Sequence, residues 1–264
     1  MSQHQDRVRT EPGAKRIRVY LGGVLVADTV APLLVWEMPY HPTYYIPVGD
    51  VHAELIPDGR VKPSRSRGDG SVLTVKTSTA TAPGSAVRYE DSPVEEVRGY
   101  VRFDWDAMDS WFEEDEEVFF HPRDPYARVD VLPSSRRVRV EIDGVVVADS
   151  AAPRFLFETG LPVRFYLPKT HVRTDLLEAS DTTSVCPYKG TAEYWSARIG
   201  DTVHTDVAWG YRTPLPESRQ VAGHICFYNE KVDTYIDDVL QERPSVYTRR
   251  LRGYSEHHAE FERR

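Results

Sequence analysis

The chain has 264 residues, of which 40% are hydrophobic, and it carries a formal net charge of −8 at pH 7. This length and apolar content are enough for one large domain or for two domains of roughly 100 to 150 residues each. Because no basic run offsets the acidity, neither nucleic acid nor a membrane surface is an expected partner.

The amino-terminal residues 1–15 are polar and carry charges of both signs. They predict a flexible tail without the apolar stretch of a signal peptide, so the cytoplasm is the expected compartment. A first domain is predicted over residues 16–120. Its last element is predicted to be a short helix at 106–118, where apolar residues return at three- and four-residue spacing. Prolines and serines then indicate a linker over residues 121–136.

A second domain is predicted over residues 137–243, and a charged tail follows over 244–264. An alternating strand, an Asp143-Gly144 turn and a second apolar strand open this domain, which is a pattern typical of a β-hairpin. Further short strands are predicted at 154–158, 164–167, 192–198, 202–209 and 223–228. A closing helix is predicted at 231–240. Evenly spaced short strands of this kind favour a mostly antiparallel β fold.

The two predicted domains are copies of one unit. Residues 16–55 align without gaps on residues 137–176, at a constant offset of 121, and 15 of the 40 positions are identical. Matches at a slightly larger offset, such as Gly99 with Gly223, extend the repeat over the whole domain. Self-similarity at a fixed period indicates that each copy folds as the same structure.

The copies differ most in the segment 184–190, which a simple alignment places opposite residues 65–70. In that alignment the glycine persists, whereas Cys186, Tyr188 and Lys189 have no counterpart. Residues that the fold requires should recur in both copies, and residues of a site need not. The comparison therefore predicts a site in the second copy and a degenerate one in the first.

Three side chains of the second copy are candidates for catalysis. Lys189 lies in a turn among aromatic residues, where loss of solvation would make its amine a base, nucleophile or anion clamp; a solvated turn lysine is the alternative. Cys186 is a nucleophile if a cation stabilises its thiolate, and otherwise a small buried hydrophobe. Glu158 is a general base if its surroundings are aromatic, but it recurs as Glu37, which fits a structural role equally well.

Six further side chains are expected to bind a ligand, because aromatic walls with a few polar groups are typical of small-molecule pockets. They are Tyr188, Tyr166, Trp195, Trp209, Arg164 and Asp206. Tyr194 and Trp195 are consecutive on a predicted strand, so they point to opposite faces and cannot both line one pocket. The two cysteines, Cys186 and Cys226, show no metal-ligand spacing, and neither a metal nor a cofactor is expected.

Several of these segments resemble the DUF427 family. The motif residues lie at 138–150, at 186–195 (CPYKGTAEYW) and at 223–233 (GHICFYNEKVD), and the junction at 121–136 is similar to that of two-domain actinobacterial members. The resemblance covers nearly the whole chain. It implies two tandem β-tent-like domains of antiparallel strands, each closed by a short helix, and it implies no particular reaction.

The sequence leaves three functions open. The first is binding of a small molecule in an aromatic-lined pocket around the 186–190 turn, with or without catalysis. The second is a structural or protein-interaction module that presents its aromatic residues as an exposed patch. The third is acyl or thiol chemistry at Cys186. The sequence has no glycine-rich phosphate loop leading into a helix and no clustered Asp-x-Asp that would hold magnesium.

Overall fold

The structure is a computed structural model that describes residues 8–38 and 41–244. The chain divides into two compact units, and the boundary lies between Pro125 and Tyr126. Most of the predicted carboxy-terminal tail and the first seven residues lie outside the described residues. In the part of the chain that the structure describes, no helix has the length and apolar character needed to cross a bilayer.

The first unit consists of two antiparallel sheets. Its strands are β1 (Arg9–Pro12), β2 (Ile17–Leu21), β3 (Val24–Thr29), β4 (Leu33–Trp36), β5 (Thr43–Pro47), β6 (Glu54–Ser64), β7 (Gly68–Lys76), β8 (Thr81–Arg88), β9 (Tyr100–Phe103), β10 (Ser110–Glu113) and β11 (Glu116–Val118). The large sheet has the order β1-β4-β5-β9-β8-β7-β6, and the small sheet has the order β11-β10-β2-β3. Short 3-10 helices lie at Val48–Asp50, Glu95–Val97 and Trp105–Ala107.

The second unit repeats this architecture. Its strands are β12 (Val129–Pro133), β13 (Val138–Ile142), β14 (Val145–Ser150), β15 (Arg154–Glu158), β16 (Arg164–Pro168), β17 (Leu177–Cys186), β18 (Gly190–Ile199), β19 (Thr202–Tyr211), β20 (His224–Phe227), β21 (Asp233–Ile236) and β22 (Val239–Leu240). The sheet orders are β12-β15-β16-β20-β19-β18-β17 and β14-β13-β21-β22. Short 3-10 helices lie at Lys169–His171, Thr174–Leu176 and Pro216–Val221. The predictions of a mostly β fold and of a tandem repeat are confirmed.

Each large sheet has an apolar cluster on both of its faces. In the second unit, the inner face packs on the small sheet through residues such as Val140, Leu167 and Ile225. The outer face carries a separate cluster that includes Tyr166 and Trp209. Because side chains alternate along a strand, a single β-strand contributes to both clusters. The outer face is therefore the part of the fold on which residues from six neighbouring strands can meet.

The closing helices predicted at 106–118 and 231–240 are wrong, because both segments form hairpins: β10 with β11, and β21 with β22. In the second hairpin, Asp237 and Asp238 adopt left-handed backbone angles, with φ of 51° and 63°. Two such residues form the tight turn that joins antiparallel strands. The apolar pairs on either side of this two-residue turn recur at three- and four-residue spacing, which imitates the period of a helix.

The predicted tail and linker both contain strands. Residues 9–12, assigned to a flexible tail, form β1, which pairs with β4. Residues 129–133, assigned to the linker, form β12, which pairs with β15. Each is the edge strand of a large sheet, and its backbone groups are bonded to the neighbouring strand. The units therefore begin earlier in the chain than the sequence repeat suggested. Backbone hydrogen bonds to the neighbouring strand hold an edge strand, so it can form without marked alternation of apolar residues.

A substitution in the Asp237-Asp238 turn can distinguish the observed hairpin from the helix predicted at 231–240. We expect Asp238→Gly to raise the free energy of unfolding of the second unit by about 1 kcal/mol, because glycine adopts positive φ without steric cost. A glycine inside a helix would instead lower it by about 1 kcal/mol. Urea unfolding measures the difference. Asp238→Ala is the control, since it removes the same carboxylate but keeps the strained backbone; equal stabilities of the two variants would contradict the hairpin.

Candidate functional site

Lys189 lies at the tip of the hairpin formed by β17 and β18. Cys186 pairs with Gly190 across the hairpin, so residues 187–189 form the turn. Gly190 has a φ of +94°, a backbone conformation that other residues rarely adopt. The Leu215 backbone N–H donates to the Lys189 carbonyl at 3.1 Å, which holds the tip against the segment that follows β19. The turn is thus fixed at both of its sides.

The ammonium of Lys189 forms an ion pair with Glu158. The Lys189 Nζ lies 2.5 Å from Glu158 Oε2, and the two side chains are only 10% and 11% exposed. Glu158 is the last residue of β15, so the pair connects the hairpin tip to the opposite part of the large sheet. Because a buried charge is tolerated only with a partner, each group neutralises the other. The amine predicted as a free base or nucleophile is therefore engaged.

Two of the predicted ligand-binding aromatic residues belong to the outer apolar cluster. Tyr166 and Trp209 are 1% and 7% exposed. The Trp209 Nε1 donates to the Tyr166 hydroxyl at 3.1 Å, and burial raises the pKa of Tyr166 well above its usual value. Both rings are covered by neighbouring side chains, including Tyr211. They form the floor of the outer face, and their polar atoms are already bonded to each other.

Arg164 lies at the edge of this floor and is fully engaged by acidic and amide oxygens. Its Nη1 and Nη2 donate to the two carboxylate oxygens of Glu230 at 2.6 and 2.7 Å, and Nη1 also donates to the Asn229 side-chain oxygen. The guanidinium carbon lies 5.4 Å from the Trp209 ring centre and 5.7 Å from that of Tyr228. A bidentate pair of this kind fixes the guanidinium over the rings.

The structure separates Trp195 and Asp206 from the other predicted site residues. Trp195 packs with the inner cluster, and the Lys169 Nζ lies 4.9 Å from its ring centre. Tyr194 packs on the outer cluster, so the prediction that these neighbours point to opposite faces is confirmed. Asp206 sits at an irregularity of β19, with a φ of 47°, and accepts from the Thr182 hydroxyl at 2.7 Å. Hydrogen bonds from Ser180 and Thr182 lower the pKa of Asp206.

A row of three hydroxyl groups crosses the outer face beside the buried rings. The Ser184 Oγ lies 2.8 Å from the Tyr194 hydroxyl, which lies 3.4 Å from the Tyr228 hydroxyl. The Tyr228 ring is 4.4 Å from that of Trp209. Burial, and then the hydrogen bond with Tyr194, raise the pKa of Tyr228, so its hydroxyl keeps its proton. Sequence reasoning missed Tyr228, although alternation from the buried Cys226 would have placed it on this face.

The remaining predicted site residues lie near the tip. Cys186 is partly exposed, and Cys226 is fully buried within the outer cluster. Burial raises the pKa of the Cys226 thiol to about 12, so this cysteine is an inert core residue. Tyr188 is half-buried, and its carbonyl accepts from the Ser218 hydroxyl at 3.4 Å. The turn therefore brings Cys186, Tyr188 and Lys189 into one short segment.

The first unit contains a counterpart of the hairpin tip that the sequence alignment missed. Ser64 pairs with Gly68 as Cys186 pairs with Gly190, so Arg67 occupies the position of Lys189. Gly68 also has a positive φ, +79°. The alignment of residues 65–70 with 184–190 was thus wrong by two positions. The prediction that Lys189 has no counterpart is wrong for the same reason.

Arg67 pairs with Glu37, which is the counterpart of Glu158. Both side chains are largely buried, and the Glu37 Oε1 also accepts from the Tyr45 hydroxyl at 2.7 Å. Arg102 adds a second cation, with its Nε 3.3 Å from Glu37 Oε1. An arginine does not lose its proton in proteins, so it cannot serve as a base. The feature shared by both units is therefore a buried carboxylate–cation pair that anchors the hairpin tip.

The hydroxyl row has no counterpart among the described residues of the first unit. The strand registers place Lys62, Val72 and Asp104 at the positions of Ser184, Tyr194 and Tyr228. Val87 takes the position of Trp209 in the same registers. The two units thus share the anchoring pair and differ in the residues that surround it.

These features define a class of protein built from two copies of a two-sheet β unit, each with a buried ion pair under its longest hairpin. A family model described as a domain of unknown function, DUF427, matches residues 9–114 and 130–238. The two matches cover most of the chain, and the protein belongs to this family as a tandem two-domain member. No curated protein matches the chain.

The ion pair can be tested by exchanging its cation. We expect Lys189→Met to destabilise the second unit by about 3 kcal/mol, because it leaves the Glu158 carboxylate buried without a partner. Lys189→Arg should be close to the unmodified protein, since Arg67 fills the same position in the first unit. Urea unfolding and hydrogen exchange of residues 177–199 measure both effects. A Lys189→Met protein as stable as the unmodified one would contradict the anchoring role.

The two thiols are expected to differ in reactivity. Iodoacetamide should modify native protein at Cys186 only, because the Cys226 thiol is buried and its raised pKa keeps it protonated. Peptide mass spectrometry locates the label, and the same reaction in denaturant is the control in which both cysteines react. Labelling of native Cys226 would contradict its placement in the core. Cys186 must react faster than a model thiol if it has catalytic thiol chemistry.

Proposed function

We propose that the second unit binds a small molecule on the outer face of its large sheet, at the hydroxyl row formed by Ser184, Tyr194 and Tyr228. In this proposal the buried rings of Tyr166 and Trp209 are the floor. The Lys189–Glu158 pair positions the hairpin that carries one side of the site. In this proposal the protein binds a ligand, and the buried Lys189–Glu158 pair needs no catalytic role.

The observation that carries this proposal is the difference between the two units. In both units a carboxylate and a cation hold the hairpin tip, so the common fold explains why this ion pair is present. Within residues 8–38 and 41–244, the hydroxyl row is present only in the second unit, where the hydroxyls of half-buried Tyr194 and Tyr228 face each other at 3.4 Å. Half-buried phenols combine apolar contact area with hydrogen-bonding capacity, which suits recognition of a small polar molecule.

The proposal includes a role for the partly exposed residues at the tip. Cys186 and Tyr188 lie beside Lys189 in one turn, and Cys186 and Ser184 share a face of β17 because they are two residues apart. They would contact a ligand seated on the hydroxyl row from the hairpin side. Arg164 and its partner Glu230 would border the ligand on the opposite side, held in place over Trp209.

We also infer a cytoplasmic location. The two cysteines are free thiols in the described part of the chain, one of them partly exposed. A reducing compartment preserves such thiols, whereas an oxidising one favours disulfides. Fractionation of cells that produce the protein, with detection by antibody, tests the location.

A metabolite screen tests the binding proposal. Native mass spectrometry and thermal shift against a library of small metabolites should find a ligand that stabilises the protein. Tyr194→Phe and Tyr228→Phe should each weaken that ligand roughly fivefold, because each removes one hydroxyl and no ring. Tyr235→Phe is the matched control, since Tyr235 lies on the small sheet under Arg139.

Two outcomes would contradict the proposal. If the library yields a ligand that both hydroxyl-deletion variants bind as tightly as the unmodified protein, the site lies elsewhere. If no ligand is found, and the same surface is instead protected from hydrogen exchange by a protein partner, the interaction-module alternative replaces the proposal.

A further inference from the structure

Two histidines of the first unit stack on each other. His41 lies just before β5, and His121 follows β11 in the segment that leads to the unit boundary. Their ring centres are 4.0 Å apart, and the ring planes differ by only 10°. Both side chains are partly buried. Face-to-face imidazoles at this separation are compatible with neutral rings and unfavourable for two cations.

Each imidazole is held by the carbonyl of the proline that follows it. The His41 Nδ1 lies 3.0 Å from the Pro42 oxygen, and the His121 Nδ1 lies 2.7 Å from the Pro122 oxygen. A carbonyl only accepts, so Nδ1 carries the hydrogen in both rings. The Nε2 atoms are therefore the positions at which a further proton would bind.

The segment 119–124 is tied to the first unit next to this stack. The Trp36 Nε1 donates to the Asp124 carboxylate at 3.1 Å, and the Arg123 backbone N–H donates to the Glu113 carboxylate at 3.2 Å. Phe120 has a φ of 76°, which is a strained backbone for an aromatic residue. The stack thus belongs to a set of contacts that holds a strained segment in place.

We propose that the His41–His121 stack is a pH-sensitive latch, which holds residues 119–124 on the first unit while both rings are neutral and releases them when both are protonated. The charged groups that face the stack are Asp124, from the same segment, and Glu37, which directly follows β4. Glu37 is engaged by Arg67 and Arg102, and Asp124 by Trp36. The second unit has Pro162 at the position of His41, so the latch belongs to the first unit.

The direction of the effect follows from the histidine pKa values. Burial lowers the pKa of both rings, and for His121 the neighbouring His41 adds to this and brings the pKa to about 4. The released segment titrates with an ordinary histidine pKa of about 6.5. The stabilisation of the docked segment is therefore complete above about pH 6.5. As the pH falls toward 4, the equilibrium constant for docking decreases by up to about tenfold per pH unit for each proton taken up.

Nuclear magnetic resonance of the full chain tests the latch between pH 7 and pH 4. Nitrogen-15 signals of the imidazoles report their protonation, and the Trp36 indole N–H reports its bond to Asp124. Exchange of the Trp36 indole hydrogen, corrected for its intrinsic pH dependence, should accelerate as the imidazoles gain protons. The Trp209 indole, bonded to Tyr166 in the second unit, is the internal control and should not respond.

His121→Phe keeps a ring at the stack and removes its titration. In this variant the corrected exchange of Trp36 should be nearly independent of pH over the same range, and His41→Phe should behave in the same way. Protonation of both imidazoles in the unmodified protein without any change at Trp36 would overturn the proposal. So would the same pH response in His121→Phe as in the unmodified protein. Because the unmodified protein supplies one of these readouts, the test does not depend on the variants folding.

Discussion

The ion pair between a strand-end carboxylate and a hairpin-tip cation is the constraint on which the outer face of each unit depends. Lys189 with Glu158 in the second unit, and Arg67 with Glu37 in the first, connect the tip of the longest hairpin to the far side of the large sheet. In the second unit, neither partner can be removed alone without leaving a buried charge unpaired. The pair therefore helps to hold the tip of a long hairpin over a floor of packed rings.

The surroundings of this constraint have diverged between the units. In the first unit, a second arginine, Arg102, and the Tyr45 hydroxyl converge on the same carboxylate. In the second unit, the position of Arg102 is taken by the buried Cys226, and phenol and serine hydroxyls extend across the face instead. In the first unit these polar side chains contact one another in one network. In the second unit, some of the polar side chains lie at the surface.

The described histidine stack is a feature of the first unit alone, at the segment that joins the two copies. A duplicated fold needs a connection that leaves one small sheet and enters the next large sheet as an edge strand. His121 and Asp124 lie in that connection, and their contacts with His41 and Trp36 hold its first part on the unit that precedes it.

The repeat, the mostly β character, the opening hairpins and the family could be predicted from the residues alone, because identical letters at a constant offset and period-two alternation are local signals. It also placed Tyr194 and Trp195 on opposite faces. The helices predicted near each unit's end failed because only pairing with a neighbouring strand distinguishes a short hairpin from a helix. In the second unit, the two apolar pairs around the acidic turn also have the spacing of a helix. The partner of Lys189 and its counterpart Arg67 became visible only in the tertiary structure, because the cross-strand pairs Ser64–Gly68 and Cys186–Gly190 identify the matching turns, whereas the sequence alignment matched the wrong glycine. The contact of Glu158 with a residue 31 positions away depends on sheet order, which no local pattern encodes.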